Sequence, residues 1–242
     1  MDTNLSIRAE RARISQRLPV VLSRAEVALI MQNLSGRPQL MAMLMYGTGM
    51  RSIEVLRLRV HDIDFDNRHI TIRQAKGNKD RSTFLPAHLV DSLRDQIERV
   101  RRNHRQDLEN GFGEVYLPDA LGRKYPNAAK TIGWQYLFPS NKISTAPRSG
   151  KQMRHHTDKT TFRKALSKAL ASSGIEKRVS AHVFRHSFAT HMLEDGANIR
   201  MVQTLLGHKD VKTTEIYTHV MSTKFDSAES PLDRLRDLVP PC

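Results

Sequence analysis

Residues 181–219 read AHVFRHSFATHMLEDGANIRMVQTLLGHKDVKTTEIYTH, and their reading decides what kind of chain this is. Apolar positions recur at helical spacing through 180–194 and again through 198–206, with Asp195-Gly196 between them as the expected C-cap. His182 lies three residues before Arg185, so on a helix the two side chains share a face and converge on one ligand. His208 follows Leu205-Leu206-Gly207, where the second helix should end, and can donate from a turn. Tyr217 stands nine residues beyond it.

Two further cations join this set. Arg51 occurs in YGTGMRSIEVLRL and Lys76 in QAKGNKDR. Breaking a phosphodiester without a metal requires fixed positive charge on the non-bridging oxygens, an in-line nucleophile and a proton for the leaving oxygen. Arg51 and Arg185 suit the first role, because a guanidinium forks onto two phosphate oxygens and does not deprotonate. The phenol of Tyr217 is a modest nucleophile with an ordinary pKa of about 10, which surrounding positive charge would favour as phenolate. Lys76, on a hairpin, is a reasonable general acid. Each residue has an ordinary reading too: Arg51 as a solvated helix start, Lys76 as a surface lysine, Tyr217 as a partly buried aromatic. His182 and His186 stand four apart and could bind a metal, but HVFRH lacks the glutamate of a zinc-peptidase motif, so no metal and no cofactor is expected.

The remaining sequence organises around these residues. Residues 1–17 read as a basic tail. Ser23 and Glu26 in LPVVLSRAEVALIMQNL form a capping box. Residues 38–46 predict a buried helix ending at Gly47-Thr48-Gly49, and MRSIEVLRLRV places Ile53, Leu56 and Val60 on one helical stripe. Residues 61–86 alternate Ile70 and Ile72, then return through Thr83 to Leu85. That pattern is a small hairpin or three-stranded sheet with Lys76-Gly77-Asn78-Lys79 near its tip. HLVDSLRDQIERVRRNHRQDLE is a long amphipathic helix. Residues 111–156 mix Gly, Pro, aromatic and basic residues without a long periodic element, as an inserted loop-rich region would. Phe162, Leu166 and Leu170 mark another helix that stops at Gly174. The fold class expected is mainly α with a small antiparallel sheet (α+β), in one domain over 18–225, followed by a polar tail over 226–242.

Across 242 residues, 39 Lys plus Arg against 25 Asp plus Glu give a formal charge of +14. Such a surplus favours a polyanionic partner, since each neutralised phosphate releases counterions. No stretch approaches the roughly 20 apolar residues needed to cross a bilayer. MDTNLSIRAERARIS lacks the apolar core of a signal peptide. Cys242 is the single cysteine, which excludes an internal disulfide and a Cys-rich zinc module. A cytoplasmic location without membrane association fits these features.

The joint pattern resembles the catalytic domain of tyrosine recombinases, the phage-integrase family, in TGMR (Arg51), AKGNKDR (Lys76), HVFRHSFATH (His182, Arg185), LLGH (His208) and TTEIYTHV (Tyr217). The likeness covers roughly residues 19–221. By resemblance, Tyr217 attacks the scissile phosphate to give a 3′-phosphotyrosyl link and a free 5′-hydroxyl. Arg51, Arg185, His182 and His208 steady the transition state, and Lys76 protonates the leaving group, with neither ATP nor metal. Glu54, one turn after Arg51, is placed to orient that arginine or to stand solvated. The partners implied are DNA sites and copies of the chain itself, as a tetramer on DNA.

A finer resemblance is to integron integrases, carried by LPDALGRKYPNAA, GWQYLFPS and PRSGKQMRHH. Those enzymes capture gene cassettes by recombining a folded single strand whose unpaired bases protrude. Trp134, His155 and His156 then offer flat rings for a splayed base. Lys124, Arg148, Lys151 and Arg154, with Lys79 and Arg81 of the hairpin, would contact phosphates. The plainer alternative is a decorated loop that Trp134 merely anchors. The family usually carries a helical core-binding domain of about a hundred residues before this region. Only a short basic tail precedes it here, so weaker DNA binding and impaired recombination are expected. The competing functions are a catalytically silent DNA-binding protein of the same fold, a type IB topoisomerase, and an RNA-binding module, which lacks a matching motif.

Overall fold

In the computed structural model, residues 19–75, 79–117, 119–146, 149–208 and 210–217 are described. The tails over 1–17 and 226–242, Lys76 and Arg148 lie outside them, as does the side chain of Lys79. Helix α1 (Arg24–Gln32) starts at the capping box: the Ser23 hydroxyl accepts from the Glu26 N–H at 3.1 Å, and the Glu26 carboxylate accepts from the Ser23 N–H at 2.7 Å. Helix α2 (Gly36–Thr48) is buried along much of its length and ends on Gly49 in the left-handed region at φ +67°. Glycine is required there twice over, because a Cβ would also lie 2.6 Å from the Phe188 ring and 3.0 Å from Leu206.

Helix α3 (Ser52–Arg57) is shorter than the Ile53–Leu56–Val60 stripe predicts. Leu58 and Arg59 are extended instead. Arg59 pairs with Tyr136 as an antiparallel bridge, Leu137 N–H donates to Leu58 O at 2.7 Å, and Val60 N–H donates to Gln135 O at 3.0 Å. The apolar spacing mimics a helix, but the backbone bonds of this segment are taken by the region after Trp134.

Strands β1 (Ile63–Asp64), β2 (His69–Ala75) and β3 (Lys79–Phe84) form an antiparallel sheet in that order. The register sets Ile70 opposite Thr83 and Ile72 opposite Arg81. Opposed residues share a face, and Ile70, Ile72 and Thr83 are buried, so Arg81 also points inward. Helix α4 (Val90–Glu109) buries Leu93, Ile97 and Val100. Between Glu109 and Asp158 only short elements occur: α5 (Asp119–Lys124), single 3-10 turns, and the two-residue strands β4 (Ser144–Thr145) and β5 (Gln152–Met153). Helices α6 (Lys159–Ser173), α7 (Ala181–Glu194), α8 (Ile199–Leu206) and α9 (Lys212–Glu215) complete the described chain. Gly174 closes α6 at φ +67°, and Gly196 follows α7 at φ +87°.

Three apolar clusters result. The large one joins α1, α2, α3, the sheet, α4 and α6 to the first turns of α7. A smaller one gathers Phe188, Ala189, Leu193, Val202, Leu206 and Tyr217. The third, Val115, Leu117 and Tyr136 with Trp134 against them, is the private core of the region after α4. Helix α7 runs through the first two, and Tyr46 of α2 packs on both.

Candidate active site

Each catalytic candidate within the described residues sits where an element begins or ends, except on α7. Arg51 is the N-cap of α3, in extended conformation. Glu54, three residues on, accepts from the Arg51 backbone N–H through Oε2 at 2.8 Å and from its Nη1 through Oε1 at 2.8 Å. The orienting role considered for Glu54 is thus its observed bonding. The same Oε2 accepts from Nη2 of Arg81 at 2.9 Å. One carboxylate therefore serves two guanidinium groups.

Arg185 is buried on α7. Its Nη1 donates to Gly49 O and its Nη2 to Leu206 O, both at 2.6 Å, so one side chain ties the ends of α2 and α8 together. Nη2 also lies 3.0 Å from Nε2 of His208. A guanidinium only donates, so Nε2 accepts and the ring proton sits on Nδ1, which donates to the Thr214 hydroxyl at 2.9 Å. Burial, reinforced by Arg51 and Arg81, lowers the Arg185 pKa to about 9. It remains a cation at neutral pH, held in a pocket that favours an anion beside it.

Tyr217 follows α9 with only 1 % of its surface exposed. Its hydroxyl is 2.6 Å from Nδ1 of His186. Burial raises the phenol's pKa, while Arg185 and Arg51 pull it the other way. Burial also depresses His186, with His182 and Arg185 adding to the effect. A neutral imidazole thus accepts from a protonated phenol. His186, which the sequence suggests only as half of a metal pair, is the partner of that phenol; its place directly after Arg185 is the available signal. Among the described residues, no group of three His, Cys, Asp or Glu side chains gathers to hold a metal. His182 is exposed on the first turn of α7, one turn before His186. Arg51, Arg185, His208 and Tyr217 therefore converge, with His182 at the rim.

The residues assigned to nucleic-acid contact divide differently. Lys124 is exposed, with its ammonium 5.2 Å from the Tyr125 ring, and exposed Lys151 pairs with Glu114 at 2.9 Å. Arg154 is occupied internally: Nε and Nη2 each reach an Asp107 oxygen at 2.6 Å, and Nη1 reaches Ser140 O at 2.8 Å. Nε2 of His155 is buried without a hydrogen-bond partner, and burial lowers that ring's pKa. His156 is bonded to Thr157 O at 2.8 Å and stands edge-on to Tyr136. The Trp134 ring meets the guanidinium groups of Arg59 and Arg73 at 5.5 and 5.4 Å and His61 edge-on at 4.2 Å. Arg59 organises this neighbourhood. It is buried, stacks on Tyr136 at 4.4 Å, and donates to Trp134 O and Tyr116 O.

A phenol seated beside two arginines and a turn-borne histidine, on a helical scaffold with a three-stranded sheet, is the arrangement of a tyrosine recombinase catalytic domain. A model of the phage integrase family matches residues 21–224, and the chain belongs to that family; it is a site-specific recombinase of the tyrosine class. It is similar to integrase/recombinase proteins of Escherichia coli and Pseudomonas aeruginosa, each 49% identical over 228 residues, 94% of this chain and 68% of theirs. It is 31% identical to tyrosine recombinase XerA of Pyrococcus furiosus, over 97% of this chain and 70% of that one. The crystal structure of XerA recombinase superposes with a TM-score of 0.61 at 27% identity, covering 89% of this chain and 67% of that one. The catalytic domain of bacteriophage HP1 integrase shares the fold at a TM-score of 0.53 and 18% identity, over 92% and 96% of the two chains. No helix among the described residues is long and apolar enough to cross a membrane.

Proposed function

We infer that this chain cleaves and rejoins DNA through Tyr217 and that its recombination is of the integron type, capturing gene cassettes from folded single-stranded sites. The observation that supports the chemistry most is the bonded cluster itself: Glu54 holds Arg51, Arg185 holds the Gly49 carbonyl and His208, and the Tyr217 phenol lies within the field of both arginines. A phosphodiester entering this cluster meets guanidinium donors on its non-bridging oxygens. Attack by Tyr217 Oη, its proton passing to the neutral imidazole of His186, forms the 3′-phosphotyrosyl bond and expels the 5′ oxygen, which takes its proton from Lys76. His182, exposed on the first turn of α7, adds a donor as charge develops, and His208 contributes through the bond that holds Arg185.

DNA is the polyanion that fits a charge of +14. A recombinase of similar fold is XerH, whose structure is of a post-cleavage complex with the palindromic difH substrate. Four copies assemble on two sites, because each strand exchanged needs its own nucleophile, and a cytoplasmic location fits that substrate. The 111–156 region supports the integron reading by composition and by its separate core, with Lys124, Lys130 and Lys151 on its surface.

The chemistry is tested with Tyr217→Phe on nicked duplexes. The parent is expected to form a denaturant-resistant adduct and the variant none; an adduct from the variant removes Tyr217 as nucleophile. A silent DNA-binding protein would give salt-sensitive binding and no adduct, and a type IB topoisomerase would relax a supercoiled plasmid without joining partners. The integron reading is tested by binding a bulged hairpin against its fully paired counterpart while following fluorescence of Trp134, the only tryptophan. Tighter binding and quenching with the bulged hairpin are expected. Equal affinity and equal emission remove the role assigned to 111–156.

A further inference from the structure

Arg81 was grouped by sequence with the phosphate contacts of the hairpin, yet it occupies the inward face of β3 opposite Ile72. Its side chain is 10 % exposed. Nη2 is bonded to Glu54, whereas Nε and Nη1 are buried with no hydrogen-bond partner. On its far side it fills the space that a larger residue at 207 would need: a Cβ on Gly207 would lie 2.7 Å from both Cδ and Nε of Arg81. Gly207 closes α8 at φ +64°, and the next residue is His208. Arg81 thus touches the carboxylate that holds Arg51 and the turn that holds His208.

We propose that Arg81 is a positioning residue that sets Arg51 and His208 relative to one another, acting on Arg51 through Glu54. Two physical effects follow from its place. The Glu54 carboxylate, shared between two guanidinium groups, neutralises neither fully, so Arg51 keeps positive charge for an incoming anion. The Arg81 side chain also fills the space beneath Gly207, which fixes the height of the His208 turn. Buried donors left without partners are uncommon in folded proteins, and here they lie in the same guanidinium cluster as Arg51 and Arg185.

This inference rests on the recombinase reading, and its test separates the two. A pool of nicked duplexes with randomised centres is first enriched for covalent capture by the unaltered chain. On a captured duplex, single-turnover adduct formation at saturating DNA is compared for the parent, Arg81→Gln, Arg81→Lys, Glu54→Gln and the Arg81→Gln/Glu54→Gln double variant, alongside binding at several salt concentrations. Arg81→Gln is expected to slow adduct formation roughly ten- to a hundredfold, as a misplaced group does, with affinity and its salt dependence unchanged. Arg81→Lys recovers part of the rate, because it keeps a cation on Glu54. In the Glu54→Gln background, Arg81→Gln costs distinctly less than it does alone. If Arg81→Gln does not fold, Arg81→Lys carries the comparison, with a several-fold loss of rate expected. Unchanged rates in the variants overturn the proposal. So does weaker binding with a salt slope reduced by about one at an unchanged saturated rate, the signature of a phosphate contact. A parent that captures nothing overturns the recombinase reading together with the proposal.

Discussion

The hydroxyl of Tyr217 lies 2.6 Å from Nδ1 of His186, so the phenol is bonded to an imidazole rather than to Arg51 or Arg185. The bond joins α7 to the turn after α9 across the smaller apolar cluster. His186→Leu leaves a buried phenol unpaired and is expected to destabilise the fold by about 1–3 kcal/mol. Tyr217→Phe alone costs less, and a double-mutant cycle should give a coupling of about 1 kcal/mol. Urea denaturation of the four proteins measures it. A coupling of zero would mean that the pair is not bonded in solution.

Stability should fall on acidification. Burial depresses both His186 and His191 below the ordinary imidazole value. The unfolded chain then binds more protons than the folded one once pH drops below about 6.5, so the folded state loses ground from there downward. Thermal midpoints between pH 7.5 and 5 should decline, and His186→Asn should flatten the decline. At the other extreme, the raised phenol of Tyr217 makes stability fall as pH climbs above about 10. A midpoint unaffected by pH between 7.5 and 5 would count against the buried neutral histidines.

Gly49→Ala is expected to be among the most damaging small substitutions. It combines a left-handed φ of +67° with a Cβ 2.6 Å from the Phe188 ring. Left-handed strain and overpacking together cost on the order of 2–5 kcal/mol. The Gly49 carbonyl also accepts from Arg185, so adduct formation should drop even at temperatures where the variant is folded. A variant that matches the parent in both midpoint and rate would sink this account of the α2 terminus.

Arg59→Met should loosen the region after α4 while sparing the rest. The substitution removes the bonds to Trp134 O and Tyr116 O and the stacking on Tyr136. Each charge-assisted bond of that kind contributes about 1.5–3 kcal/mol. Amides of 113–137 should exchange faster and Trp134 emission should shift to the red, with protection of β2 and of α7 retained. Uniform loss of protection everywhere would show that Arg59 supports the main core instead.

Much of the site was legible because its residues sit at helix ends, where sequence signals are strongest. Gly49 before Arg51, Gly207 before His208 and the spacing of His182 to Arg185 all announce themselves. Arg81 was not read correctly as to direction, since positive charge suggested a phosphate contact. The alternation Arg81, Thr83, Leu85 already placed it on the inward face of β3. Arg59 escaped notice for a related reason: its burial depends on Tyr116, Trp134 and Tyr136, which the sequence gives no means of bringing to it. The helical stripe to Val60 failed because partners more than seventy residues away took its backbone bonds.

The Tyr217 ring belongs to a patch of six buried side chains, apart from the large core into which α3 packs. Prising apart so small a patch exposes little oily surface, so the energy required is a modest share of what whole-molecule melting demands. Loosening it would loosen Tyr217 and, through Leu206, the turn that carries His208.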